Sequence, residues 1–195
     1  MIKTDKKFWE SRWENKQTGW DAGQITTPLK EYFDQLKDKS IKILIPGCGN
    51  AYEAEYLYKL GFNNVYIIDI AQQALDNFKL RVSDFPEEHL ICDDFFNHEA
   101  QYDLIVEQTF FCALNPSLRG QYAQKVHSLL KPQGKLMGLL FNIPLNSTEP
   151  PFGGHKDEYI KYFEPYFNFK YFEICYNSIK PRANNELFIL FTKKA

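Results

Sequence analysis

The chain has 195 residues, a length at which one hydrophobic core closes without splitting, so we expect a single globular domain. Hydrophobic residues make up 44% and charged residues 25%, which is typical of folded proteins and excludes collagen, coiled coil and general disorder. The formal net charge is -2 and the basic residues are scattered, so nucleic acid is not an expected partner.

Two helices are predicted first. An amphipathic pattern favours a helix over residues 6–16, and Thr27-Pro28 begins a second one that runs to about residue 36. Apolar runs rich in β-branched residues then predict buried strands at residues 41–45, 65–70, 102–106 and 136–141, with a weaker strand at 88–92. Helical patterns at 51–60, 71–82 and 118–130 alternate with them, the last closed by a break at 131–134. This alternation predicts parallel strands in a doubly wound α/β sheet.

The pattern changes after residue 141. Residues 142–154 contain three prolines and two glycines and predict a long loop, of the kind that often covers a site. A short helix at 155–163 follows, and then two strands at 167–176 and 186–192 that form a hairpin. We therefore expect the sheet to end with an antiparallel strand. The whole chain reads as one domain, with N-terminal helices in residues 1–38 and a Rossmann-like core in residues 41–195.

No apolar run is long enough to cross a bilayer, and the N-terminus has no signal-peptide segment. We expect a cytoplasmic protein with no membrane partner, most simply a monomer.

The cysteines show neither CxxC spacing nor a nearby histidine pair, so neither disulfides nor a metal site is predicted.

The first strand runs into a glycine-containing loop that leads to a helix. Gly47 and Gly49 allow a tight turn and let a ligand approach the backbone. Tyr52 stands where a dinucleotide fingerprint has its third glycine, which disfavours NAD and FAD. Asp69 ends the next strand, 69 − 49 = 20 residues after the loop, where an acidic side chain meets ribose hydroxyls. Together they favour an adenosine-containing cofactor; the alternative is an ordinary turn and a helix cap.

Two further motifs lie at strand ends. Asp94 and Phe95 follow the third strand, where a carboxylate can accept the adenine amino group and a ring can cover its face. Gln108, with its neighbours Glu107 and Thr109, ends the fourth strand, where polar side chains face a bound ligand. The alternatives are an acidic turn and a polar strand end.

Several long motifs occur in one order: FWESRWENKQTGWDAGQITTP, IPGCGNAYEAEYL, YIIDIAQQAL, YDLIVEQTFFCALNPSLRGQYA, LLKPQGKLMGLLF and PPFGG. In these the sequence resembles, over nearly its whole length, the thiopurine S-methyltransferase family, and most closely its thiol and halide methyltransferase branch. The resemblance implies a Rossmann-like fold with a mostly parallel seven-stranded sheet, a C-terminal antiparallel hairpin and N-terminal lid helices. It also implies S-adenosyl-L-methionine as the cofactor, bound by Trp9, Trp13, Trp20, Gly47, Asp69, Asp94, Phe95 and Gln108. At Gln108 the plant-type enzymes have an aromatic residue.

The tryptophans suit a sulfonium donor on physical grounds as well. Indole faces attract a desolvated cation. Trp9 and Trp13 are four residues apart and share one helical face, and Trp20 follows in a Gly-containing loop. The segment is thus predicted to fold over the cofactor; the alternative is an amphipathic helix that packs on the core.

Methyl transfer from a sulfonium requires alignment and exclusion of water rather than a metal. A thiol, thiopurine, hydrosulfide or halide acceptor suits a site rich in apolar rings, and Phe110, Phe111, Phe152 and Trp20 are the candidate lining. We reject a covalent role for Cys112, because no histidine or cation lies near it in sequence.

Two polar residues are candidate catalytic groups. Asp21 can take the proton of a thiol, directly or through water, and Arg119 can hold an anionic acceptor or the cofactor carboxylate. Arg182 is a weaker candidate of the same kind as Arg119. Other functions left open are an O- or N-methyltransferase and a protein that binds S-adenosylmethionine without turnover; nicotinamide-dependent oxidoreduction is disfavoured by Tyr52.

Overall fold

A computed structural model describes residues 3–146 and 148–195. Residues 1, 2 and 147, which fall in the predicted N-terminal segment and the predicted loop 142–154, lie outside the described residues. The strands are β1 (Ile43–Pro46), β2 (Val65–Asp69), β3 (Leu90–Cys92), β4 (Tyr102–Gln108), β5 (Leu130–Phe141), β6 (Phe167–Ile174) and β7 (Glu186–Lys193). In the described part of the chain these seven strands form one sheet in the order β3-β2-β1-β4-β5-β7-β6. The predicted fold class is confirmed.

The α-helices are α1 (Lys6–Glu14), α2 (Thr27–Asp34), α3 (Tyr52–Lys59), α4 (Gln72–Arg81), α5 (Arg119–Leu129) and α6 (Lys156–Phe163). The central strands are buried on both faces, and successive residues point to opposite sides. Leu44 packs in one core cluster with residues of α5 and α6, whereas Ile43 and Ile45 pack in another with residues of α2, α3 and α4. The sheet is therefore the middle layer between two layers of helices.

The predicted C-terminal antiparallel hairpin is confirmed, but the antiparallel strand is not the last strand of the sheet. β7 is antiparallel to both β5 and β6, so the antiparallel strand lies one position inside the edge. The physical reason is burial: most of β7 is buried and needs a neighbour on each side, whereas β6 exposes Lys170 and Glu173, charges that suit an edge strand. β5 also begins at Leu130, so the predicted break at 131–134 lies within the bounds of the strand.

The two N-terminal helices differ in how they are held. α1 has no buried residue, whereas α2 buries Pro28, Leu29 and Phe33. No helix in residues 3–146 and 148–195 has the length and apolar character needed to cross a membrane. α1 thus depends on contacts other than core packing for its position.

Candidate functional site

The carboxyl ends of the parallel strands meet at one edge of the sheet, and a large cavity of about 730 Å³ lies there. Its wall includes most of the residues that the sequence singled out. These are Trp9, Trp13, Trp20, Gly47, Gly49, Asp69, Asp94 and Phe95. They come from five places in the chain (α1, the loop after it, the glycine loop, the end of β2 and the turn after β3), which the fold brings together.

The glycine loop needs both of its glycines. Gly47 has φ +55° and Gly49 has φ +52°, in the left-handed region that favours glycine. A Cβ on Gly47 would collide with the ring of Phe110, and one on Gly49 would lie 3.6 Å from Nε1 of Trp20. The backbone of the loop therefore forms the wall of the cavity without side chains in the way.

Asp69 is fixed by the backbone on both sides. Its Oδ2 accepts the N–H of Gly49 at 3.0 Å, and its Oδ1 accepts the N–H of Ala71 at 2.9 Å, just before α4 begins. Burial raises the pKa of Asp69, and these N–H donors act against the rise. The carboxylate therefore joins the glycine loop to the end of β2 and has a fixed direction at the cavity wall.

The three tryptophans meet at one side of the cavity. The ring centroids of Trp9 and Trp20 are 5.5 Å apart and those of Trp13 and Trp20 are 5.7 Å apart, both in edge-to-face geometry. All three are half-buried. The arrangement presents indole rings from two directions to a single space.

Asp94 and Phe95 form the neighbouring stretch of wall. Oδ1 of Asp94 accepts the N–H of Phe96 at 2.9 Å, which fixes the turn after β3. Phe95 is buried and its ring packs edge-on against Phe110, with the centroids 5.3 Å apart. This stretch pairs a carboxylate with an aromatic ring, as expected for a site that holds a nucleobase.

The apolar side of the cavity differs from the expected set. Phe110 and Trp20 line it, together with Phe8, Leu114, Leu118, Phe141, Pro150 and Pro151. Phe111 and Phe152, also expected there, do not: both are buried in the core, where Phe111 packs against Tyr122 and Phe163. Consecutive aromatic residues on one turn point in different directions, so only one of them reaches the cavity.

Sequence reasoning did not identify the role of Glu107. Its side chain is fully buried, Oε1 accepts the N–H groups of Phe110 and Phe111 at 2.9 Å each, and Oε2 accepts the hydroxyl of Tyr122. Burial raises the pKa of Glu107 to about 7. Glu107 therefore fixes the turn that carries Phe110 instead of facing the cavity as its position at a strand end suggested. An acidic residue three positions before an aromatic pair is the signal in the sequence.

The structure places Arg119, a candidate for holding an anion, away from the large cavity. Its side chain is fully buried and lines neither cavity at this edge of the sheet. Nη1 pairs with Glu158 at 2.7 Å, and Nη2 donates to the carbonyls of Phe152 at 3.1 Å and Gly153 at 2.6 Å. Arg119 thus ties the loop before α6 to α5.

Asp21 and Gln108 face a second, smaller cavity of about 50 Å³ beside the large one. Asp21 accepts hydrogen bonds from the N–H of Gly23 at 2.7 Å and from Nδ2 of Asn50 at 2.5 Å. Gln108 accepts the hydroxyl of Thr26 at 2.8 Å. Neither lines the large cavity, where the sequence placed them.

Two long-range contacts hold the N-terminal segment over the large cavity. Arg182 lines this cavity, and its Nη2 donates to the carbonyl of Trp20 at 2.6 Å. Arg12 pairs with Glu149 in the loop before α6 at 2.9 Å. The partners are 162 and 137 residues apart, so no local pattern signals either contact.

Comparison with known proteins identifies the family. The sequence matches the thiopurine S-methyltransferase family over residues 4–191. The chain belongs to this family. The predicted resemblance is confirmed, and membership makes the protein an S-adenosylmethionine-dependent S-methyltransferase that acts on a small molecule.

Relatives in the family carry names for several acceptors. The chain is 32% identical over 170 residues to probable thiol methyltransferase 2 of Arabidopsis thaliana, covering 85% of this chain and 75% of the relative. Thiocyanate methyltransferase 1 of Brassica oleracea is 29% identical, with 74% of this chain and 66% of the relative covered. Thiopurine S-methyltransferase of Vibrio cholerae serotype O1 (strain M66-2) is 28% identical, with 76% of each chain covered.

Solved structures show the same fold at low identity. A 1,6-didemethyltoxoflavin-N1-methyltransferase from Burkholderia thailandensis, with S-adenosylhomocysteine bound, superposes with a TM-score of 0.76 at 14% identity, over 97% of this chain and 87% of that one. A TehB-like methyltransferase from Corynebacterium glutamicum gives 0.66 at 21% identity, over 97% and 98%. These likenesses support the fold class of this family member.

The residues present fit the methyl donor of the family. A cavity of about 730 Å³ is within the usual range for pockets that bury a ligand of this kind. The loop at Gly47 leaves no room for a side chain, Asp69 holds a carboxylate at the wall, and the indoles face the same space. These residues suit a ligand that consists of a nucleoside and a positively charged sulfur.

Proposed function

We propose that the protein methylates a small, soft anion, such as a thiolate, a thiopurine, hydrosulfide or a halide, in the large cavity. The main support for this proposal is that three indoles, the Asp69 carboxylate and an apolar wall line the same cavity. S-Adenosylmethionine supplies a methyl group activated on a sulfonium. The chain's own residues bind the two reactants, orient them and exclude water.

The donor side uses the residues with fixed positions. Asp69 accepts hydroxyl groups of the ribose, Asp94 accepts the adenine amino group, and Phe95 covers the face of the base. Gly47 and Gly49 let the donor approach the backbone. The indoles of Trp9, Trp13 and Trp20 stabilise the positive charge, because cation–π attraction is strongest where water is excluded.

The acceptor side is formed by Phe110, Leu114, Phe141 and the Pro150-Pro151 pair. A soft anion is poorly solvated against such a surface and is correspondingly reactive. Arg182 lines the same cavity and supplies a positive charge for an anionic acceptor. It takes the role that the sequence assigned to Arg119.

Asp21 remains the proposed proton acceptor only through water. It lies on the wall of the small cavity, which adjoins the large one at Trp20 and Thr109. A thiol must lose its proton to become the nucleophile, whereas a halide needs no base. Asp21 is therefore needed for thiols and dispensable for halides.

The decisive experiment uses purified protein and a radiolabelled methyl donor with thiopurines, hydrosulfide, small thiols, thiocyanate, iodide, catechols and amines. Transfer to sulfur or halide acceptors is expected. Transfer only to oxygen or nitrogen acceptors would contradict the proposed acceptor class, and donor binding without transfer to any of them would contradict the proposed activity. Asp21→Asn is expected to lower the rate with thiols and to leave the rate with iodide within about twofold.

We further propose that the chain works as one domain and as a monomer in the cytoplasm, without nucleic-acid or membrane partners. The net charge of -2 and the scattered basic residues support the lack of a nucleic-acid partner. Light scattering on the purified protein measures the oligomeric state, and a dimer at micromolar concentration would contradict it.

A further inference from the structure

Arg182 lies where the C-terminal hairpin meets the segment that covers the large cavity. It belongs to the connection between β6 and β7, and it lines the cavity. Its Nη2 donates to the carbonyl of Trp20 at 2.6 Å, and its guanidinium carbon lies 5.8 Å from the ring centre of Phe141. One cation thus lies between the indole side of the cavity and its apolar wall.

Glu186, the first residue of β7, holds the other side of this guanidinium. Its Oε1 lies 3.5 Å from Nη1 of Arg182, and the side chains of Glu186 and Arg182 are only 2% and 11% exposed. Glu186 is paired with Phe141 in the ladder between β5 and β7, and its carbonyl accepts the N–H of Cys175. The sheet therefore fixes the position of Glu186, and its carboxylate in turn holds the side chain of Arg182.

Arg182 is the cation that pairs with Glu186 in the part of the chain that the structure describes. Oε2 of Glu186 is buried and lacks a hydrogen bond of normal geometry, as does the nearby hydroxyl of Ser178. Burial raises the pKa of Glu186, and the Ser178 hydroxyl and Arg182 act against the rise. An unpaired carboxylate is costly in such a place, so the ion pair with Arg182 favours the ionised form of Glu186.

A second acid near Arg182 does not form this contact. The charge of Arg182 lowers the pKa of Glu53, yet among residues 3–146 and 148–195 the ion pair of Arg182 is with Glu186. A contact of 3.5 Å depends on charge more than on a directed hydrogen bond. A neutral amide of the same shape would therefore not hold the guanidinium as the carboxylate does.

Trp20 connects Arg182 to the rest of the aromatic cluster. Its carbonyl accepts from Arg182, and its ring packs edge-to-face against both Trp9 and Trp13. A shift of Trp20 therefore changes the arrangement of all three indoles. The next residue, Asp21, is tied to Asn50 on the opposite side of the segment, so loss of the contact with Arg182 would loosen the segment without releasing it.

We propose that Glu186 is a positioning residue that acts through Arg182: the ion pair holds the Trp20 carbonyl, and with it the three indoles, in place at the cavity. The inference rests on the proposed function, because the indoles are assigned there to the methyl donor. Glu186 itself lines neither cavity and contacts neither reactant. Its effect on the donor is exerted through the orientation of one guanidinium.

The test is a double-mutant cycle on the binding of S-adenosylhomocysteine, measured by calorimetry. Glu186→Gln keeps the shape and removes the charge, and it is expected to weaken binding about threefold to tenfold. Arg182→Met should weaken binding at least as much. The double variant should show the loss of Arg182→Met alone, because residue 186 then has no guanidinium to hold. Glu173→Gln, exposed on the neighbouring strand β6, is the control and should bind as the wild type does.

A second readout separates positioning from a purely structural role. All three tryptophans of the chain line the large cavity, so the tryptophan bands of the near-UV circular dichroism spectrum report on this cluster. Glu186→Gln should change these bands in the folded, ligand-free protein, and Arg182→Met should change them in the same way. A residue that only stabilises the fold would lower the free energy of unfolding and leave these bands unchanged. If Glu186→Gln does not fold, Glu186→Asp, which sets the carboxylate back by one methylene, is expected to show both effects in weaker form.

Three results would overturn the inference. The first is wild-type affinity together with wild-type near-UV bands in the folded Glu186 variant. The second is a double variant in which the two losses multiply, because Glu186 would then not act through Arg182. The third is tighter binding by Glu186→Gln, which would mean that the carboxylate screens the charge of Arg182 instead of positioning it. Failure of the wild-type protein to bind S-adenosylhomocysteine would contradict the proposed function, and the inference with it.

Discussion

Gly47 combines a left-handed backbone with contact against a ring, so its replacement carries two separate costs. Gly47→Ala places a strained residue at φ +55° and drives its Cβ into Phe110. Gly61, at φ +87° with open space around it, isolates the backbone cost. We expect Gly61→Ala to lower the free energy of unfolding by about 1–2 kcal/mol. Gly47→Ala should lower it further and weaken S-adenosylhomocysteine binding, as measured by urea denaturation and calorimetry. Equal effects of the two variants would contradict the collision.

The hydroxyl of Tyr122 satisfies a carboxylate that water does not reach. Tyr122→Phe leaves Oε2 of Glu107 without its donor, and we expect a loss of about 1–3 kcal/mol in the free energy of unfolding. Tyr176→Phe is the matched control, because Tyr176 is 90% exposed and should change the value by less than about 0.5 kcal/mol. An equally small effect at Tyr122 would show that the buried contact contributes nothing.

At the level of residues, the sequence predicts where a residue lies in the fold better than it predicts where its side chain points. Asp69, Asp94 and the tryptophans lie on the cavity wall because strand ends and helix periodicity fix where they occur. Arg119 is different: its partner Glu158 is 39 residues away, and no local pattern shows that its guanidinium is already occupied. Side-chain orientations that depend on partners far away in the sequence could not be predicted.

At the level of elements, α1 is the one expected to respond to ligand. It has no buried residue, yet Trp9 and Trp13 face the cavity, so a bound donor would give it packing that it otherwise lacks. Hydrogen exchange should therefore slow in residues 6–14 when S-adenosylhomocysteine binds. α2, anchored by the fully buried Leu29 and Phe33, is the control and should change little. Strong protection of α1 without ligand would contradict this expectation.

Most element boundaries were predicted to within a few residues, because apolar runs and helix signals are local properties; the exception is β5, which begins six residues before the predicted start at residue 136. The positions of β6 and β7 in the sheet were not predicted from the sequence. They depend on which of the two strands pairs with the free edge of β5, and this strand, β7, then has a neighbour on each side. Local patterns thus specify the elements, and competition for buried positions specifies their arrangement.

At the level of the whole molecule, buried carboxylates link stability to pH. The pKa of Glu53 and that of Glu107 are both raised by burial from 4.5 to about 7. The native state therefore binds more protons than the unfolded chain between about pH 4.5 and 7, and each group makes stability fall as the pH rises through this window. His89 and His98, whose pKa values burial lowers from 6.5, act in the opposite direction: each makes stability rise as the pH approaches 6.5 from below.

The variant Glu53→Gln isolates the contribution of Glu53 to the pH dependence of stability. Glu53→Gln cannot ionise, so its free energy of unfolding should fall less than that of the wild type between pH 5 and 8, by an amount on the order of 3 kcal/mol. Glu55→Gln is the control from the same helix: the pKa of Glu55 is lowered, so its removal should not flatten the decline. Urea denaturation across this pH range measures both. Parallel pH profiles for the wild type and Glu53→Gln would show that the Glu53 carboxylate is not held in a region of low polarity and would contradict the raised pKa.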